Sequence, residues 1–108
     1  MLQVTFRHMT ASDALRTVAQ ELLEKLHART NGTERCHLVI DCVTADQERK
    51  PGQFTAHIDI SFGTAGSLLH ATSAQDDAAV AVREAFASID RQLVEHRQLV
   101  DHQRRHTA

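Results

Sequence analysis

Residues 54–62 read Phe-Thr-Ala-His-Ile-Asp-Ile-Ser-Phe, with Phe54, Ala56, Ile58, Ile60 and Phe62 alternating with Thr55, His57, Asp59 and Ser61. A strict period of two belongs to a strand with one buried and one polar face, and the buried face has to be covered by other elements. Working upstream, Arg35 to Thr44 repeats the pattern, with Cys36, Leu38, Ile40 and Cys42 on one side and His37, Val39, Asp41 and Val43 on the other. The polar stretch Ala45 to Gln53 between the two holds the only proline, at Pro51-Gly52, and reads as a hairpin connection. Downstream, Gly63 to Gly66 reads as a turn and Leu68 to Thr72 as a short fourth strand.

The cover comes from both ends of the chain. Leu2, Val4 and Phe6 alternate with Gln3, Thr5 and Arg7 as a first strand, and Thr10-Ala11-Ser12-Asp13 follows as a helix cap. From Ala14 to Ala28, Leu15, Val18, Ala19, Leu22, Leu23 and Leu26 recur at helical spacing, and Thr30-Asn31-Gly32-Thr33 ends that helix. A second, longer helix starts near Gln75-Asp76-Asp77, whose carboxylates suit the positive end of a helix dipole. Ala78, Val82, Ala85, Phe86, Ile89, Leu93 and Val100 trace its apolar stripe. The order β-α-β-β-β-α predicts an α+β fold: a four-stranded mixed sheet with two helices packed on one face. Strands two to four form an antiparallel meander, and the first helix allows a parallel crossover. Residues 1–100 are expected to form the domain and 101–108 a polar, frayed tail.

A chain of 108 residues is the length of one domain, and 42% apolar with 24% charged residues is ordinary for a globular protein. The apolar runs are far short of the ~20 residues that cross a bilayer, and no secretory leader is visible, so no membrane partner is expected and the compartment is read as cytoplasmic. Cys36 and Cys42, six positions apart on one strand, would lie roughly 20 Å from each other, beyond the ~7 Å reach of a disulfide. They read as reduced thiols. The chain contains no Gly-rich phosphate loop, Gly-x-Ser-x-Gly, His-Glu-x-x-His or Cys-x-x-Cys, which argues against an enzyme and against a small-molecule substrate or cofactor.

Two site readings remain. His37, Asp41, His57 and Asp59 fall on the bare side of the sheet, where they would either bind a transition metal or form a solvated polar face; no metal is assigned. A net charge of -2 excludes a uniformly basic nucleic-acid binder, so any polyanion site must be a local patch. Arg7 closes strand one, Arg16, Lys25 and Arg29 lie on helix one outside its stripe, and Arg83, Arg91, Arg97, Arg104 and Arg105 lie along helix two. At 100° per residue, Arg83, Arg97 and Arg104 share a sector of about 60° with Arg91 beside it, a cationic edge interleaved with Glu84, Asp90, Glu95 and Asp101.

The sequence resembles the ribosome hibernation-promoting factor family, also called ribosome-associated inhibitors or sigma-54 modulation proteins. The resemblance is carried by Val4-Thr5-Phe6-Arg7, Ala14-Leu15-Arg16, Glu24-Lys25-Leu26, Cys36-His37-Leu38-Val39-Ile40 and Phe54-Thr55-Ala56-His57-Ile58-Asp59-Ile60. On helix two, Asp77, Ala81, Val82 and Ile89-Asp90-Arg91-Gln92-Leu93 are similar to the family's Asp-x-x-x-Ala-Ile and Lys-Leu-Glu-Arg-Gln-Leu patterns. The resemblance implies a non-enzymatic protein that enters the small ribosomal subunit, lies in the channel used by messenger and transfer RNA, and keeps idle ribosomes inactive. It implies ribosomal RNA contacts from Arg16, Lys25 and Arg91, to which the distribution of cations adds Arg7, Arg29 and Arg83. A diverged adaptor that binds a protein, or a metal through its His-rich face, is the alternative. Leu22 and Ser88 stand where many members have Lys, and Ala79 where Tyr is common. Two lost contacts of ~1 kcal/mol each would weaken binding about tenfold to thirtyfold. The chain resembles the short forms, which lack the second domain that joins two ribosomes.

Overall fold

Six elements run in the order β1 (Leu2–Arg7), α1 (Asp13–His27), β2 (Arg35–Val43), β3 (Gln53–Phe62), β4 (Ser67–Gln75) and α2 (Ala78–Thr107). They belong to a computed structural model that describes residues 2–28, 35–43, 53–62 and 67–107. The strands form one sheet in the order β1-β2-β3-β4, with β1 parallel to β2 and the other two pairs antiparallel. This is the expected α+β arrangement. A parallel pair needs a crossover long enough to return the chain to the same end of the sheet, and α1 supplies it. The hairpin around Pro51-Gly52, the turn at 63–66, the Thr30-Asn31-Gly32-Thr33 cap and Arg29 lie outside the described residues.

The alternation seen in the sequence becomes the two faces of the sheet. Leu38 lies opposite Ile58, Cys36 opposite Ile60 and Ile40 opposite Ala56, and all six are buried. Ala19, Leu23 and Leu26 of α1 and Ala81, Val82, Ala85, Phe86, Ile89 and Leu93 of α2 close over them in a single core. The helix α2 packs across β3 and β4, while α1 packs beside α2 and over β1. Alanines at 56, 71, 81 and 85, all buried, keep the layers close where sheet and long helix meet. Leu23, Leu38, Ile40, Ile58, Ile60 and Ile89 are fully buried; each such side chain contributes roughly 1.5–3 kcal/mol through removal from water.

Both helices start where a side chain can satisfy orphan N–H groups. The Ser12 hydroxyl accepts from the Leu15 amide at 3.2 Å. The Asp77 carboxylate accepts from the Ala79 and Val80 amides at 2.8 and 3.2 Å. Two boundaries differ from the sequence reading. The strand β4 runs on to Gln75, because Ala74 and Gln75 still pair with Thr55 and Phe54, and the Glu84 carboxylate of α2 accepts from Ser73 and Gln75. The helix α2 continues to Thr107 where a frayed tail was expected. Residues 94–107 contain no Gly or Pro, and half of the fourteen are good helix formers: three Arg, two Gln, one Glu and one Leu.

Candidate nucleic-acid interface

The sheet has an open face opposite the helices, and its polar side chains satisfy one another in pairs. Register places His37, Asp59 and His70 in one row across β2, β3 and β4, and Val39, His57 and Thr72 in the next. The His57 ring lies 2.7 Å from the Thr72 hydroxyl through Nδ1 and 3.2 Å from the Asp59 carboxylate through Nε2. His37 Nε2 is 3.1 Å from the Thr5 hydroxyl. His8, in the left-handed region at φ 57°, turns its Nδ1 to within 2.9 Å of Asp41. Of the four metal candidates on this face, His57 and Asp59 touch each other, while His37 and Asp41 are drawn to Thr5 and His8. Among the described residues no three His, Cys, Asp or Glu side chains converge as a metal site would require.

Both cysteines are free, and burial pushes the Cys36 thiol up to about 12, so it stays protonated and unreactive. The Glu84 carboxyl is held below its ordinary range by hydrogen bonds from Ser73 and Gln75. Neither group is placed like a nucleophile or general base beside a partner.

The predicted RNA contacts divide among four places. Arg7 alternates with the inward Phe6, lies opposite Asp41, and therefore points to the open sheet face, away from the helices. Arg16 stands over the Phe6 ring at 5.4 Å, on the β1 flank of α1, in a shallow hollow it shares with Gln20, Glu21 and Glu24. Lys25 and Arg83 face one another across a groove between the helices. Arg91 lies on the other flank of α2 beside Thr72, Ser73, Glu84 and Ser88. Arg97 and Arg104 sit on helical backbone beyond the described side chains. Among the described residues, Lys25, Arg83 and Arg91 have no carboxylate partner. The helix layer thus places cations on both flanks of α2, without carboxylate partners among the described residues, although the whole chain is slightly acidic.

The Lys25–Arg83 groove is apolar at its base. Leu26 and Phe86 are buried at 4% and 5% exposure, Leu22 is half-buried, and Ala87 and Asp90 complete a hollow of about 210 Å³. Its residues fall at i, i+3 and i+4 on α1 and at i, i+3, i+4 and i+7 on α2, so each helix turns one continuous strip toward the other. Sequence reasoning missed Ala87 and Asp90 as neighbours of Lys25. The i+4 and i+7 spacing from Arg83 was the available signal, but no spacing tells which helix lies opposite.

The chain matches the family model described as "Sigma 54 modulation protein / S30EA ribosomal protein" over residues 2–100. It belongs to that family. No curated protein sequence matches it. Among solved structures it resembles the N-terminal domain of Protein Y from Thermus thermophilus, with a TM-score of 0.68 at 18% identity over 83% of this chain and 90% of that one. A ribosomal subunit interface protein from Coxiella burnetii superposes with a TM-score of 0.72 at 17% identity, over 90% of this chain and 97% of that one. At such identities these likenesses establish the shared fold. Family membership also gives the departures a location: Leu22 forms a wall of the interhelical groove, Ser88 accepts from Gln92 at 3.3 Å beside Arg91, and Ala79 donates its amide to the Asp77 cap. No helix among the described residues is long and apolar enough to cross a membrane.

Proposed function

We propose that this protein is a non-catalytic, cytoplasmic ribosome-binding factor that occupies the decoding channel of the small subunit through its helix layer and keeps idle ribosomes inactive. The observation that carries the reading is the family match across residues 2–100, and the description of the Coxiella neighbour as a ribosomal subunit interface protein agrees with it. Arg16, Lys25, Arg83 and Arg91 are the residues proposed to meet ribosomal RNA, because they lie on the helix layer, and Lys25, Arg83 and Arg91 have no carboxylate partner among the described residues. Such contacts neutralise phosphates and follow the shape of folded RNA without reading its sequence. Arg29 is carried as a further candidate on the strength of its sequence position alone. Arg7 belongs to the proposal less directly, since a surface that meets the helices does not reach the open sheet face.

The test is cosedimentation of the purified chain with small ribosomal subunits at two monovalent salt concentrations and constant Mg²⁺. Saturable binding that weakens with salt is expected. A Lys25→Glu/Arg91→Glu double variant is expected to abolish it while keeping the wild-type melting temperature within a few degrees. Absence of wild-type binding at low salt refutes the proposal.

A further inference from the structure

The groove between α1 and α2 has a chemistry that phosphate neutralisation does not call for. A pocket for phosphate is lined by N–H and O–H donors, whereas this one has Leu26 and Phe86 at its base and Leu22 and Ala87 on its walls. Lys25 and Arg83 stand at its two sides, without carboxylate partners among the described residues. We propose that this groove seats one unstacked nucleobase of the bound RNA, with the phosphates on either side of that base held by Lys25 and Arg83. The inference rests on the RNA-binding reading above and specifies what enters the site.

Size, polarity and charge each favour this occupant. A hollow of about 210 Å³ is smaller than the roughly 300–1,000 Å³ of pockets that take whole cofactors or drug-sized ligands, and suits a single flat group. Single-stranded RNA is bound by splaying bases onto apolar and aromatic surfaces while cations track the backbone, which is the combination of floor and rim found here. Leu22 bears on the same point. It gives the groove an apolar wall that a phosphate would gain nothing from and a base edge would cover.

Filling the groove without changing charge separates this idea from the electrostatic one. Ala87 is exposed on a regular helix, so Ala87→Leu occupies the hollow with a residue that favours helix, and Ala87→Ser leaves it open. In small-subunit cosedimentation, Ala87→Leu is expected to bind about tenfold more weakly than wild type, the low end of what a stacked base contributes. Its salt slope should be unchanged, and Ala87→Ser, which keeps the hollow open, should bind more tightly than Ala87→Leu. Wild-type affinity for Ala87→Leu overturns the inference and leaves the ribosome-binding proposal standing; failure of the wild type to bind removes both. A second readout needs no ribosome. In a methyl NMR titration of the full chain with CMP, GMP, AMP and UMP, the Leu22, Leu26 and Ala87 methyls are expected to shift with at least one nucleotide and several-fold less with ribose 5-phosphate. Equal shifts with the baseless sugar phosphate, or none with any nucleotide, count against a base in the groove.

Discussion

Replacing Arg7 and Lys25 by alanine, one at a time, asks which face of the molecule meets RNA. Each substitution removes one exposed cation from a residue without a carboxylate partner among the described residues, so neither disturbs an internal ion pair. If Arg16, Lys25, Arg83 and Arg91 each neutralise one phosphate, the slope of log K against log salt is about -0.7 to -0.9 per contact, or roughly -2.8 to -3.6 in all. Over a fourfold rise in salt, such as ~50 to 200 mM, wild-type affinity then falls about 50-fold to 150-fold. Lys25→Ala removes one contact and flattens the slope by about 0.7 to 0.9. Arg7 lies opposite Asp41 on the open face, so Arg7→Ala should keep the wild-type slope and stay within about twofold in affinity. The assay is small-subunit cosedimentation over four or more salt concentrations at constant Mg²⁺. A flattened slope for Arg7→Ala together with a wild-type slope for Lys25→Ala would place RNA on the open sheet face and refute the assignment to the helix layer.

Further outcomes test the fold and its titrating groups. Asp77→Ala leaves the Ala79 and Val80 amides without their acceptor and should cost about 1 kcal/mol, lowering the melting temperature by ~4–8 °C in thermal denaturation followed by circular dichroism. In a Cys42→Ser chain the remaining Cys36 thiol, buried and pushed up to about 12, should react with a disulfide reagent at pH 8 only as fast as the protein unfolds; prompt native-state labelling would contradict its place in the core. Because the folded state lowers the Glu84 carboxyl from 4.5, its contribution is present above that pH and lost as pH falls through the folded value. The difference in melting temperature between wild type and Glu84→Ala should therefore shrink on acidification below pH 4.5, and a difference that grows would reverse the sign of the assignment.

The legible parts of this protein were those written in a local period. In β3 the alternation from Phe54 to Ser61 named the buried face of the sheet, and the same parity in β1, with Leu2, Val4 and Phe6 inward, already put Arg7 on the face away from the helices. The apolar stripes of α1 and α2 named Leu23, Leu26, Val82 and Ile89 as core. The end of β4 was harder to read, because Ser73 and Gln75 are held by a carboxylate from α2, a contact between distant parts of the chain. The end of α2 was missed for the opposite reason: its polar residues carry no apolar period to mark a helix, and no Gly or Pro breaks it.

By itself the sequence determined the order of strands and helices, which of their faces are apolar, and which cations remain outside the core, since each follows from spacing along one element. Only the tertiary structure decided that Lys25 meets Arg83 over an apolar floor, that Arg91 stands on the opposite flank of α2, and that His8, His37 and His57 reach Asp41, Thr5, Asp59 and Thr72. Spacing sets the direction of a side chain around its own helix or strand. What it meets there depends on the neighbour that packing brings alongside, and that neighbour comes from elsewhere in the chain.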